Sequence, residues 1–306
     1  MVQNKRALIT GADGQDASYL AELLLSKGYE VHGTYRRSVG FSKRYIPKDV
    51  ILHSATMENY GSIYKAINKV KPDEVYHLAA QSYVANSFED EFSTMASNIH
   101  GTHYVLNACK EIIPLSNIYF AGTSEMFGNQ VDPQDEFTLM EPVSPYGISK
   151  LACYNLCKYY RQAYMMYICC GILFNHESPR RGDEFVTKKI CNAAKRKEMV
   201  ILGNLDAKRD WGYAGDYVEA MYAMMQEHDP DDYVIATGET HTVREFAELA
   251  YRHMGLNYQE YVITDPKFFR ANELHTLRGC ADKAKLILNW EPKTNFKQLV
   301  ERMMTE

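Results

Sequence analysis

Arg6-Ala-Leu-Ile-Thr10-Gly11-Ala-Asp-Gly14-Gln-Asp-Ala17 joins an apolar run to a turn with two glycines three residues apart, and a helix-forming stretch follows near Tyr19 to Lys27. Glycine in such a turn lets backbone come close to an anion, and the first N–H groups of the helix beyond it have no intrahelical partners. Strand, glycine turn and helix in that order form the turn that cradles a dinucleotide pyrophosphate, here in its G-x-x-G-x-x-G variant with Ala17 in place of the third glycine.

Working outward, short apolar runs recur at Glu30 to Tyr35, Val50 to His53, Glu74 to Ala79, Asn117 to Gly122 and Tyr167 to Phe174, separated by longer amphipathic stretches. That alternation predicts a parallel sheet covered by helices on both faces, an α/β Rossmann-type doubly wound fold. After Phe174 the pattern gives way to polar, Arg-rich and Gly-rich segments, Asn175 to Asp183 and Gly203 to Gly215, which read as a smaller C-terminal substrate-binding lobe. The expected division is residues 1–174 mainly for a dinucleotide and 175–306 mainly for a substrate. A strand at Tyr233 to Ala236 and a helix at Val243 to His253 interleave the two, with about 210–250 returning to the first domain.

A chain of 306 residues with 46% hydrophobic and 24% charged residues has the makings of a sizeable core. The net charge of -5 argues against a nucleic-acid surface, so any anion site must be a local basic pocket. No apolar run is long enough for a membrane span, and Met1 to Arg6 leads straight into a strand without a secretory leader, so the expected compartment is cytoplasmic. The seven cysteines include no C-x-x-C pair; Cys153 and Cys157 share a helix face without a histidine nearby, so they read as reduced core residues, and no metal is expected.

The second strand ends Thr34-Tyr35-Arg36-Arg37. An acidic residue there would hold a ribose 2′-hydroxyl; two guanidiniums suit a 2′-phosphate, which favours NADP over NAD. Tyr146-Gly-Ile-Ser-Lys150 places a phenol and an ammonium on one helix face, where the charge of Lys150 is expected to lower the phenol's pKa and make Tyr146 a usable base. Upstream, Gly122-Thr123-Ser124-Glu125 follows the fifth strand, at the edge where parallel sheets display reactive groups. Alcohol oxidation needs only a Ser or Thr there. The added carboxylate of Glu125 implies a second proton transfer, at the carbon beside a newly formed ketone, although a carboxylate serving only a helix start would look the same.

With these residues in view, the chain resembles the GDP-mannose 4,6-dehydratase family over essentially its whole length. The matching segments include Thr10 to Asp16, Leu173-Phe-Asn-His-Glu-Ser-Pro-Arg-Arg-Gly182, Phe185 to Ile190, Leu202 to Tyr213, Ile235 to His241 and Asp265-Pro-Lys-Phe-Phe-Arg270. The resemblance implies that Thr123, Glu125, Tyr146 and Lys150 are catalytic. It implies that Gly11, Gly14, Gln15, Asp16, Arg36, Ala79, Ser82, His176 and Arg181, together with Tyr146 and Lys150, hold NADP. Ser82, Asn175, Lys189, Arg209, Arg270 and Glu273 would hold GDP and its sugar. Family analogy also implies a homodimer or homotetramer, with the Tyr146 helix at a contact. The chain departs from the family in a shorter loop after Arg37, in Tyr83 where a histidine is common, in Ala55-Thr56 near the adenine, and in an abbreviated segment before Asp265.

The expected chemistry oxidises the sugar at C4, removes the C5 proton through Glu125, expels water from C6 and reduces C6, with no net oxidation. Another GDP-hexose or a GDP-heptose is an alternative substrate. A GDP-sugar 4-epimerase or 4-reductase would use Tyr146 and Lys150 but has no need of Glu125. A non-catalytic NADP-sensing protein is a third reading.

Overall fold

The structure, a computed structural model, describes residues 4–36, 44–131, 133–269 and 272–305. In the first half the expected alternation is present. Strands β1 (Arg6–Thr10), β2 (Glu30–Tyr35), β3 (Ile51–Ser54), β4 (Glu74–His77), β5 (Asn117–Ala121) and β6 (Ile168–Leu173) are connected through α1 (Gln15–Ser26), α2 (Tyr60–Val70), α3 (Val84–Glu89), α4 (Glu91–Met95), α5 (Gly101–Ile112) and α6 (Pro145–Tyr164). A π-helical turn, Ala96–His100, joins α4 to α5. Beyond β6 the strands are short: β7 (Asn175–Glu177), β8 (Val200–Leu202), β9 (Lys208–Arg209), β10 (Trp211–Tyr213), β11 (Asp232–Ile235), β12 (His241–Thr242), β13 (Val262–Thr264) and β14 (Thr276–Leu277). They are interspersed with α7 (Val186–Arg196), α8 (Ala214–Met224), α9 (Val243–His253), α10 (Asp282–Leu288) and α11 (Phe296–Thr305).

Seven strands form one parallel sheet in the order β11-β6-β5-β4-β1-β2-β3, so the strand order reverses between β1 and β4 and opens a crevice at their carboxyl ends. Alternate side chains explain the two covered faces. Leu8, Val75, Ile118 and Cys170 point toward α2, α5 and α6, while Ala7, Ile9, Tyr76 and Cys169 point toward α1, α8 and α10. Leu20 and Leu24 of α1 are completely buried, each contributing about 1.5–3 kcal/mol by leaving water. β11 lies beside β6 at the sheet's edge, although it comes from the second half of the chain.

A third core, separate from these two, gathers Ile190, Trp211, Phe246, Tyr251, Leu299 and Met303 from α7, β10, α9 and α11. It packs α7, α9 and α11 around Trp211 of β10. The helix expected near Tyr19 begins at Gln15, with Gly14 as an extended N-cap that brings no side chain to the helix start. Ala17, in the place of the third glycine, is buried against the sheet. Six of the seven cysteines are buried and all are free. No described helix is long and apolar enough to cross a membrane.

Candidate active site

The reversal of strand order requires the β1 turn and the end of β4 to come very close. Gly11 has φ +73°, and a Cβ built there would lie 3.0 Å from Ala79 Cα. Thr10 Oγ1 accepts from the N–H groups of Leu78 and Ala79, both at 3.0 Å, so its own proton goes to Nδ1 of His77 at 2.9 Å. The other ring nitrogen of His77 is then the donor to Thr102 at 3.0 Å, and burial depresses this imidazole to about 3. The result is a neutral, fully bonded clamp behind the turn. On the other side, Ala12 N–H donates to the carbonyl of Thr34 at 2.8 Å, fastening the turn to β2.

Gly14 offers α1 no side-chain cap, so the first N–H groups of the helix face the crevice with their hydrogen-bonding capacity available to an anion. Next to them His176 donates from Nδ1 to the carbonyl of Phe174 at 2.7 Å and from Nε2 to Asp16 at 2.8 Å. A carboxylate cannot donate, so both ring nitrogens carry protons and the pair is an imidazolium with a carboxylate. Burial opposes both charges, yet Asp16 raises His176 above its ordinary value and His176 lowers Asp16. The imidazolium also stacks on Tyr217, with centroids 4.6 Å apart. This glycine cradle and open helix start fit a dinucleotide pyrophosphate, the group that a nicotinamide cofactor would present.

The end of the crevice that holds Tyr146 and Glu125 is assembled by α6 packing onto the turn after β5. Ser144 caps α6 by accepting from Gly147 N–H at 3.0 Å, and Pro145 fixes the first helical residue, so Tyr146 has a set direction. A Cβ on Gly147 would lie 2.8 Å from the carbonyl of Glu125, so the glycine permits the close approach that places Tyr146 beside the Thr123–Glu125 turn. Thr123 accepts from Glu125 N–H at 3.3 Å and acts on the Tyr146 phenol, lowering it. Asn98, on the π-helical turn, donates to Ser149 Oγ at 2.9 Å, and Ser149 in turn donates to the carbonyl of Tyr146, steadying the helix.

The expected lowering of the phenol by Lys150 is not what the structure carries. Burial holds Tyr146 well above its ordinary value; Thr123 and Arg181 pull it down, and the charges of Glu125 and Asp16 push it up. Lys150 shares the helix face, but its ammonium donates to the carbonyl of Ala121 at 2.8 Å and sits 6.0 Å from the Tyr146 ring centroid. Burial in turn lowers Lys150.

All these groups line one cavity of about 980 Å³. It brings together Gly11, Gly14, Gln15, Asp16, Ala79, Ser82, Thr123, Glu125, Tyr146, Lys150, Asn175, His176, Arg181, Lys189, Arg209 and Glu273, and Tyr83 lines it as well. Arg181 lies over the Phe185 ring at 3.6 Å and 3.1 Å from Glu177; Lys189 lies 5.9 Å from the centroid of Tyr83. Arg209 is buried, donates to the carbonyls of Lys208 and Leu274, and pairs with Glu273 at 3.4 Å. Two expectations stand apart. Arg36 is described but does not line the cavity, and it pairs instead with Glu58 at 3.9 Å. Arg270 and Arg37 lie outside the described residues.

The sequence reading gave no role to Asn204, Lys267, Phe268, Phe269 or Glu58. The first four line the cavity, and Phe268 and Phe269 are each about half exposed. The adjacent aromatics in Asp265 to Arg270 were a usable signal, since a ring left in water at a cavity rim is available for stacking. Glu58 had none.

A family model described as GDP-mannose 4,6 dehydratase matches residues 8–303. GDP-mannose 4,6 dehydratase 2 of Arabidopsis thaliana is 48% identical across 99% of this chain and 86% of its own. The GDP-mannose 4,6-dehydratase of Vibrio cholerae is 40% identical across 99% of this chain and 93% of its own. Among solved structures, UDP-glucose 4-epimerase of Thermus thermophilus in complex with NAD superposes with a TM-score of 0.90 at 25% identity, covering 98% of this chain and 97% of that one.

Proposed function

The chain belongs to the GDP-mannose 4,6-dehydratase family, and from that premise we propose how its cavity divides the work of converting GDP-mannose to the 4-keto-6-deoxy sugar, a hydro-lyase reaction. The observation that carries the proposal is the placement of a buried carboxylate, Glu125, beside a buried phenol, Tyr146, in one cavity with the glycine cradle.

A nicotinamide cofactor, when bound, supplies the hydride acceptor for C4 and the donor for C6. Tyr146, as the phenolate that Thr123 favours, accepts the proton of the sugar's 4-hydroxyl. Thr123 and Arg181 favour the phenolate, while Lys150, held at the carbonyl of Ala121, brings a positive charge to that end of the cavity. Once C4 is a ketone, the C5 proton is acidic; Glu125 takes it and returns a proton to the departing 6-hydroxyl. Gly11, Gly14, Gln15, Asp16, Ala79, Ser82, His176 and Arg181 serve the cofactor end, while Asn175, Lys189, Arg209, Arg270 and Glu273, with Ser82, serve the GDP-sugar.

The cofactor is read as NADP, on the strength of Arg36 at the end of β2. The chain is read as residues 1–174 mainly for the cofactor and 175–306 mainly for the GDP-sugar, with about 210–250 returning to the first domain, as a cytoplasmic protein, and as a homodimer or homotetramer.

Incubation with GDP-mannose tests the activity. A product lighter by one water, carrying a carbonyl, is the expected result. A product of unchanged mass would make the chain an epimerase, and no product with bound cofactor present would make it a binding protein; either outcome removes Glu125 from its assigned role.

A further inference from the structure

A carboxylate absent from the end of β2 stands in the loop after β3. β2 and β3 pair with Tyr35 opposite Ser54, and Ala55 N–H continues the ladder by donating to the carbonyl of Tyr35 at 3.0 Å. That ladder carries the segment after β3 alongside Arg36. The loop then folds into a bonded turn. Asn59 N–H donates to the carbonyl of Thr56 at 3.1 Å, Thr56 N–H donates to Ser62 Oγ at 3.1 Å, and Asn59 caps α2 by accepting from Ser62 N–H at 2.9 Å. Glu58 sits on this turn; one of its oxygens accepts from Thr56 Oγ1 and the other lies 3.9 Å from Arg36.

Arg36 stands two residues beyond Thr34, whose carbonyl and hydroxyl hold the glycine turn by accepting from Ala12 and Gly11. The Arg36–Glu58 pair therefore stands just past the glycine turn, outside the cavity lining, on the side where this fold receives the adenosine ribose and NADP and NAD differ. Both side chains are well exposed, so the pair is loose and open to exchange with a ligand.

We propose that Glu58 is a cofactor-discriminating residue that weakens this chain's preference for NADP over NAD. Its charge competes with a 2′-phosphate for Arg36 and repels that phosphate, and it offers a ribose 2′-hydroxyl an acceptor. The proposal rests on the reading of Arg36 as the 2′-phosphate ligand. It makes discrimination a contest between two neighbouring residues of opposite sign, whereas the end of β2 alone presents only cations.

Dissociation constants for NADP and for NAD, measured by calorimetry on the full chain at low ionic strength, test it in the parent, Glu58→Gln, Arg36→Gln and the double variant. Glu58→Gln is expected to raise the NADP:NAD affinity ratio about two- to fivefold, the scale of an exposed ion pair. In the Arg36→Gln background the same change has a smaller effect, because the competition for the guanidinium is gone. If Glu58→Gln leaves the ratio unchanged while Arg36→Gln still weakens NADP, the proposal is overturned and the NADP reading stands. If Arg36→Gln leaves NADP affinity unchanged, Arg36 is not the 2′-phosphate ligand, and the proposal falls with that reading.

Discussion

Replacing Glu125 with Gln removes an acid–base group while keeping its shape. The side chain is buried, its backbone N–H remains bonded to Thr123 at 3.3 Å, and glutamine fills the same volume, so the turn beside α6 should persist. A positioned acid or base contributes about 10²–10⁴-fold to rate. The structure argues for the upper half of that range. Asp16 and Glu177, carboxylates that line the same cavity, are engaged with His176 and Arg181, so neither is free to take over as the C5 base. Elimination should therefore slow by about 10³–10⁴-fold, which at 1.36 kcal/mol per decade is about 4–5 kcal/mol of barrier.

A second signature separates a catalytic role from a structural one. The charge of Glu125 pushes the Tyr146 phenol up, so removing it lets the phenol ionise at lower pH. The pH profile of oxidation at C4 should move toward acid in Glu125→Gln even as elimination fails. The assay follows water loss by mass and exchange of the C5 hydrogen in deuterium oxide, across pH, in both proteins. Elimination slowed by less than about tenfold, or C5 exchange at the parent rate, would refute the assignment of Glu125 as the base.

The Asp16–His176 pair has a defined pH window. His176 is raised above its ordinary value near 6.5, so its stabilisation is complete below that value and is lost as pH rises through the higher folded value; Asp16 is lowered from 3.8, so its share is present above 3.8 and lost on acidification through the lower folded value. Cofactor affinity should decline on the alkaline side as the imidazolium discharges, and His176→Asn should flatten that decline in a titration across pH. At Gly33 a Cβ would lie 2.6 Å from Ala12 Cβ in the glycine turn, so Gly33→Ala should cost about 1–3 kcal/mol in denaturant unfolding and weaken cofactor binding as well. Unchanged affinity in a destabilised Gly33→Ala protein would show that the turn tolerates displacement.

The central sheet was legible because strands buried on both faces read as short runs rich in β-branched, aliphatic and aromatic residues between longer amphipathic stretches. Arg6–Thr10 and Glu30–Tyr35 have the bounds that their composition suggested, and β3, β4, β5, β6 and β11 differ by a residue or two. The start of α1 was not, since Gln15, Asp16 and Ala17 make a weak helical signal and their position is set by the turn. Nor were β9, β12 and β14, two-residue strands that pair across long separations. Within the site, Tyr146 and Lys150 were legible as neighbours one helical turn apart. The acceptor that holds Lys150, the carbonyl of Ala121, was not, because a backbone oxygen carries no mark in the sequence. Glu58 escaped notice for a similar reason: a β2–β3 register brings it to Arg36.

A reaction with no net oxidation asks different things of the two ends of one cavity. The cofactor's contacts need never break between turnovers, whereas the sugar nucleotide must enter and leave each time. The construction follows that asymmetry. Behind the glycine turn lies the buried, fully bonded Thr10–His77–Thr102 chain, and beside the turn the Asp16–His176 pair lines the cavity; both would be costly to disrupt. At the far rim stand Lys267, Phe268 and Phe269, exposed and carried by a short 3₁₀ turn and the residue after it. The segment after β6 joins the two ends. Arg180 pairs with Glu22 at 2.8 Å and lies over the Tyr19 ring at 3.9 Å, so the chain that carries His176 and Arg181 is anchored to α1 before it reaches Phe185 and Lys189. The wall that carries Phe185 and Lys189 is thereby tied to α1 and its glycine turn, so a change at either end of the cavity is passed to the other through one short segment.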